Sequence, residues 1–367
     1  MPKLKFTDIA INSTEKKKPT EEDKYTYIGL EHLDSGTLTV SRWGSDIAPI
    51  GEKLVMKKGD VLFGKRRAYQ KKVGIAPFDG IFSAHGMVLR PREEVITKEY
   101  FPLFISSDYF LNEAIRISVG SLSPTVNWKD LKDLEFTIPS IDEQRRITPL
   151  IWAAIDTKNA YKEQIKCTDE LVKSQFIEMF GDEKNIVPLS ECGKIVTGGT
   201  PPKKVEEYYS SHDIHFYKPN DCSDESVTYL SDSEEYIAEA ARGVADVFPA
   251  GTVLVTCIGT IGKIGILSEE GTCNQQINVI IPDTTKCLSE YVANAIWVKR
   301  NQLTQIANAT TVTIINKTVF SNFQIPLPRI EEQKKFVELI EQSDKSKFEL
   351  QQSIKKVDNL IKSLIQQ

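Results

Sequence analysis

The chain repeats itself at a distance of about 190 residues, and this constrains its fold more than any other feature. Gly59-Asp60-Val61-Leu62-Phe63 returns as Gly251-Thr252-Val253-Leu254-Val255. Val73-Gly74-Ile75, with Gly80 and Pro91 beyond it, returns as Ile264-Gly265-Ile266 with Gly271 and Pro282. Pro139-Ser140-Ile141-Asp142-Glu143-Gln144-Arg145-Arg146-Ile147 returns as Pro328-Arg329-Ile330-Glu331-Glu332-Gln333-Lys334-Lys335-Phe336. Three blocks in one order, with a unit far longer than a solenoid repeat, mean duplicated domains. At roughly 150 residues per domain, 367 residues hold two such domains with some chain to spare.

Each copy changes character at its third block. Before it stand short β-branched runs punctuated by Gly and Pro, such as Asp60–Phe63, Gly86–Leu89, Val253–Thr256 and Ile277–Ile281, which predict strands. Shorter helices are expected near Lys98–Leu111 and Leu288–Ile306. After it, Asp142–Phe180 and Glu331–Gln367 contain one proline, Pro149 in an early turn, and apolar residues recur at three and four, predicting two long helices. The division is 1–140, a mixed domain; 141–181, a long helix; 182–328, a second mixed domain; and 329–367, a second long helix. The fold class is α+β.

In the second helix, Phe336, Ile340, Ser343, Lys347, Leu350, Ile354, Val357, Ile361 and Leu364 form a heptad seam. The equivalent first seam is Ile147, Ile151, Ala154, Lys158, Tyr161, Ile165, Thr168, Val172 and Gln175. Both carry Lys at the same place, and a polar residue in a seam costs stability while fixing register. The reading is that the two helices pair with each other; two helices packing each on its own domain would show the same periodicity. The short link Gly181–Asn185 places the second domain at the far end of helix one. Helix two must run back from there, so the expected pairing is antiparallel, with a domain at each end and a pseudo-two-fold axis between.

Composition bears on what the chain excludes. With 40% apolar residues and 46 Lys+Arg against 51 Asp+Glu it is neither disordered nor fibrous. No stretch approaches the ~18 apolar residues of a membrane span, and Met1–Lys5 lacks a signal peptide's apolar run, so no membrane association and a cytoplasmic location are expected. The six cysteines have no Cys-x-x-Cys spacing and are expected reduced. No catalytic constellation is evident. Gly259-Thr260-Ile261-Gly262-Lys263 resembles a phosphate loop but lacks its spacing and hydroxyl, and fits a turn between strands. Glu332-Gln333-Lys334 fits a helix start better than a nuclease motif, and His212, His215 and Cys222 lack a fourth ligand at zinc spacing.

The domains do carry basic and amide-rich loops. Lys65-Arg66-Arg67-Ala68-Tyr69-Gln70-Lys71-Lys72 packs five cations, an aromatic and an amide into eight residues; it is either a solvated face or a polyanion contact. The second copy has one Lys between Thr256 and Lys263, then Asn274-Gln275-Gln276 where the first has Ser83 and His85. Different polar groups on a recurring framework suit two readers of different base sequences, since Arg favours guanine and Asn or Gln adenine; drift of surface loops produces the same pattern. Residues 1–140 hold 21 basic and 19 acidic residues, residues 182–328 only 11 against 18. A polyanion contact in the second domain therefore needs a focused strip, for which Lys203, Lys204, Lys218 and Lys263 are the candidates.

Two variable domains, each closed by Ile141-Asp142-Glu143-Gln144 or Ile330-Glu331-Glu332-Gln333 and a long helix, resemble the specificity subunit of Type I restriction-modification enzymes. Gly198-Gly199-Thr200-Pro201 opens the second copy as in that family; the first has Ala10-Ile11-Asn12-Ser13-Thr14 instead. The resemblance covers the whole chain. It implies a non-catalytic reader of double-stranded DNA, each domain a target recognition domain for one half of a bipartite site. The helices would hold the domains apart and dock two methyltransferase (modification) subunits, with room for two motor/nuclease (restriction) subunits. S-adenosylmethionine, ATP and Mg belong to those partners; none, and no metal, is expected in this chain.

Under the same resemblance, phosphate contacts fall to Lys65, Arg66, Lys71, Lys72, Lys203, Lys204 and Lys263. Base reading falls to Arg67, Gln70, Ser83, His85, Thr256, Asn274, Gln275 and Gln276, with Tyr69 and Lys218 completing the set. Helix pairing falls to Ile147, Ile151, Lys158, Tyr161, Ile165 and Val172 against Lys347, Leu350, Ile354, Val357, Ile361 and Leu364. The competing readings are a protein-binding scaffold of duplicated domains and a solitary nuclease or methyltransferase fragment.

Overall fold

The computed structural model describes residues 3–308 and 314–365. The chain divides into two compact units, Met1–Tyr161 with Gln352–Gln367, and Lys162–Gln351. In the first, Ala10–Ser13, Met87–Pro91, Val61–Phe63 and Val73–Ile75 lie side by side, all antiparallel. The second repeats that order with Gly193–Thr197, Ile277–Pro282, Val253–Thr256 and Ile264–Leu267, and adds Thr228–Leu230 parallel at the edge. The repeated glycines have a backbone cause. Gly59 and Gly251, each two residues ahead of a central strand, have φ of +90° and +79°, a left-handed turn that a side chain would strain.

The two shorter helices each come as a pair rather than as the single helix expected. Phe101–Ser106 stops at Ser107, whose backbone is extended and whose Oγ accepts from the Phe110 amide, capping Asp108–Arg116. Ser289–Val298 gives way to Arg300–Asn308 at Lys299. Apolar periodicity ran through both breaks and hid them.

The long helices are Ile141–Phe180 and Ile330–Ile365. The last two positions expected in the second, 366–367, lie outside the described residues. Both helices dock through the same residue of the repeated motif. Gln144, fully buried, donates from Nε2 to the carbonyls of Val95 (2.9 Å) and Pro139 (2.8 Å), and its Oε1 accepts from the Thr97 amide (2.7 Å). Gln333, equally buried, donates to Lys286 (3.0 Å) and Pro328 (2.9 Å) and accepts from the Leu288 amide (3.0 Å). An amide with two donors and an acceptor satisfies three backbone groups that a buried helix start would otherwise strand.

The helices pair with each other as an antiparallel coiled coil, and each unit's core takes the start of one and the end of the other. Ile147 and Ile151 share the first core with Ile361 and Leu364; Val172 shares the second with Phe336 and Ile340. This is why the compact units cut across the helices. The seam residues Tyr161, Ile165, Leu350, Ile354 and Val357 are half-buried. Each seam lysine meets an aspartate of the other helix: Lys158 Nζ donates to Asp358 (2.6 Å) and Lys347 Nζ to Asp169 (3.0 Å). Partner numbers that rise on one helix as they fall on the other are the mark of antiparallel pairing. Burial alone would depress Lys347, but Asp344 and Asp169 outweigh it and its pKa is raised. Its contribution to stability is therefore full below the ordinary lysine pKa of about 10.4 and is lost only as pH rises past the folded value.

Lys158→Asp should destabilise the first unit by about 1 kcal/mol, a figure held low because Asp358 is partly solvated. The swap of Lys158→Asp with Asp358→Lys should recover most of the loss in a denaturant double-mutant cycle. An additive double variant would mean that the pair does not couple the helices.

Candidate nucleic-acid interface

In the first unit the basic run forms the turn between Val61–Phe63 and Val73–Ile75. Arg67 and Lys71 both adopt positive φ, 56° and 50°, flanking the tight turn Ala68–Gln70. Ala68 is buried, which anchors the turn and leaves Tyr69 54% exposed. The turn is braced from behind: the Arg67 amide donates to Pro124 O (2.7 Å), and the Val126 amide to Lys65 O (2.9 Å). Arg66 approaches His85 (3.4 Å between Nη1 and Nε2) and Arg67 Nε reaches Ser123 Oγ (3.4 Å); neither is an anion.

Two groups report the local field. Burial depresses the Lys65 pKa, and Lys16 depresses it further. Burial also lowers His85, with Arg66, Lys65 and Lys53 adding repulsion, so the ring is neutral near pH 7. Positive charge from three separated segments therefore converges here. Lys16 and Lys53 escaped the sequence reading because only the antiparallel register of Lys16–Lys17 with Lys53–Met56 brings them to the turn.

Several of the expected contacts are already engaged within the domain. Lys71 Nζ donates to Asp108 (2.7 Å), and Lys72 Nζ to Leu30 O (2.7 Å), so both lysines tie the domain together. Ser83 is buried and its Oγ accepts from the His85 amide (3.3 Å). Thr256 is buried, donating to Thr260 O and accepting from the Lys263 amide, which braces its turn. Asn274 is buried and bonded twice to Gln276, through Gln276 N (3.0 Å) and Gln276 Oε1 (3.0 Å). Lys218 pairs with Glu235. A sequence lists polar side chains without saying which are spent on backbone geometry.

What remains in the second unit is gathered around its glycine opening. The Gly198 and Gly199 amides donate to Ile277 O (3.0 Å) and Cys273 O (2.9 Å). A Cβ on Gly198 would lie 2.3 Å from the Asn274 carbonyl oxygen, so only glycine lets the strands approach so closely. Thr200 Oγ1 then donates to Oε1 of the exposed Gln275 (2.6 Å), with Lys203 and Lys204 exposed just beyond. Gln276 and Lys263 are half-buried, as is Gln70 in the first unit. Gly259–Lys263 forms the turn between Val253–Thr256 and Ile264–Leu267. His215 is held by Ser233 (3.1 Å) and Glu269 (2.9 Å), and Cys222 is buried. Among the described residues no helix is long and apolar enough to cross a membrane.

A family model described as the Type I restriction modification DNA specificity domain matches residues 6–167 and again 181–357. The chain belongs to that family. Among curated specificity-family relatives, it is 29% identical over 164 residues to the MjaIX specificity subunit of Methanocaldococcus jannaschii, covering 44% of this chain and 38% of that one. It is 30% identical over 161 residues to the HindI specificity subunit of Haemophilus influenzae, covering 42% and 35% respectively. The matches thus span under two fifths of the length of these relatives. The fold agrees over the full length with a chain solved in a study of complex assembly and conformational transition of the type I R-M system. That likeness has TM-score 0.60 at 19% identity and covers 100% of this chain and 96% of that one. It also agrees with the S subunit from M. genitalium, with TM-score 0.54, 14% identity and coverage of 99% and 96%.

Proposed function

We propose that this specificity-family chain is the DNA-recognition subunit of a Type I restriction-modification complex, reading a bipartite double-stranded site with one half-site per domain. The observation that carries the reading is the braced turn Lys65–Gln70, where among the described residues Arg66 and Arg67 reach only the neutral side chains of His85 and Ser123 and an exposed Tyr69 stands beside them. Such a turn fits a groove and its flanking phosphates. Lys65 and Arg66 are the phosphate contacts of the first half-site, and Arg67, Gln70 and His85 face the bases. In the second, Lys203, Lys204 and Lys263 serve the phosphates and Gln275 and Gln276 the bases. The chain works without a cofactor or metal of its own and is not an enzyme. The paired helices dock two methyltransferase subunits, which bring S-adenosylmethionine, and restriction subunits where present bring ATP and Mg. The work is done in the cytoplasm.

Gln275→Ala in the complex with the modification subunits should relax the second half-site alone, by roughly 1 to 3 kcal/mol at one base pair. Sequencing the methylated genomic sites reads this directly. An unchanged set of sites after both Gln275→Ala and Arg67→Ala would remove the base-reading assignment.

A further inference from the structure

The two units treat one equivalent position differently. In the second, Trp297 is buried beneath the helix pair with Lys173 Nζ 4.3 Å from its ring centroid, and only about 20 Å3 stays open beside it. Tyr229 closes the same spot, its hydroxyl donating to Glu290 (2.6 Å). In the first unit Ser106 takes the place of Trp297. The equivalence is fixed on both sides: Ser106 precedes Trp297 by 191 residues, as Tyr100 precedes Tyr291 and the anchored Thr97 precedes Leu288. The result is a cleft of about 240 Å3 walled by Leu38, Leu103, Leu111, Ile155, Ile361 and Ile365. Lys362, the counterpart of Lys173, stands at its edge beside Tyr109, and among the described residues it has no cation–ring contact like that of Lys173.

We propose that this cleft receives an uncharged aromatic ring carried by a side chain of a partner protein, filling the space that Trp297 fills in the sister unit. Apolar cavities of about 150 Å3 take up benzene, so the space and lining suffice. Lys362 supplies a cation for the ring face, as Lys173 does for Trp297. The rim charges are paired, with three lysines against two aspartates: Asp108 holds both Lys71 (2.7 Å) and Lys362 (3.3 Å), and Lys158 holds Asp358 (2.6 Å). Both aspartates of the rim are already held by lysines, so neither awaits the ammonium of a free amino acid. Exposed Ser35 and Asn159 offer neutral hydrogen bonds at the mouth, which suit peptide groups flanking a side chain. The inference is independent of the DNA-reading assignment.

The test is calorimetric titration of the full chain with N-acetyl-tryptophanamide and, separately, with free indole. Both should bind at one site, and Ser106→Trp should abolish both while raising the melting temperature. Lys362→Gln, an exposed change that spares folding, should weaken both roughly two- to fivefold. Trp297→Ser should open a second site of the same kind. Failure of both probes to bind, or binding unaltered by Ser106→Trp and Lys362→Gln, overturns the proposal. Binding of indole alone overturns it too, since the cleft would then be closed to a ring borne on a polypeptide.

Discussion

Gln333→Leu should lower the stability of the second unit by about 3 kcal/mol, and Gln144→Leu should do the same to the first. Each glutamine bonds two carbonyls and one amide in a site without solvent, and a leucine of similar size leaves all three without partners. A buried polar group left unmet costs about 1 to 3 kcal/mol, which outweighs what the leucine gains from apolar burial. Because the two sites lie in different units, the effects should be separable. Hydrogen exchange should speed up at the Leu288 amide in one variant and at the Thr97 amide in the other. A loss below about 1 kcal/mol in both would show that the helix starts are held by their apolar neighbours instead.

The second large effect concerns affinity. Replacing Lys65, Arg66 and Arg67 together by alanine should weaken DNA binding by the assembled complex roughly 10²- to 10³-fold near 0.1 M salt, and should flatten the salt dependence by about 2 to 3 in slope. Folding should survive, because the brace of this turn runs through backbone groups and the buried Ala68. Lys71 and Lys72 are the wrong residues for this test, since neutralising them disturbs Asp108 and the Leu30 carbonyl. Gel shifts across a salt series give both numbers. A tenfold loss or less, with an unchanged slope, would move the phosphate contacts elsewhere.

Local pattern made the duplicated architecture and the helical pairing readable from residues alone. Repeated glycines mark turns that need positive φ, and a seam at three and four marks a helix face whatever its partner. The aspartates were not readable. Asp169 and Asp358 stand beside the seam rather than in it, and only the antiparallel register shows that each faces a lysine. The same limit applied to the interface. Ser83, Thr256 and Asn274 look like readers in a list of polar residues, but three-dimensional closure spends them on neighbouring backbone and side-chain groups. Lys16 and Lys53 look like scattered surface charge until a strand pair delivers them to the turn.

The Lys–Asp pairs have a consequence for inheritance. Lys347 follows Lys158 by 189 residues, and Asp358 follows Asp169 by the same 189, so each helix carries both halves of one lock. A helix of this kind is complementary to a copy of itself as well as to its present partner. A gene for one half of the chain thus already encodes a surface that closes on its own product. Two halves joined by recombination at the repeated Gln motif bring matching locks with them, whatever their recognition loops have become. The register of the spine is inherited within each half, which leaves the loops free to diverge.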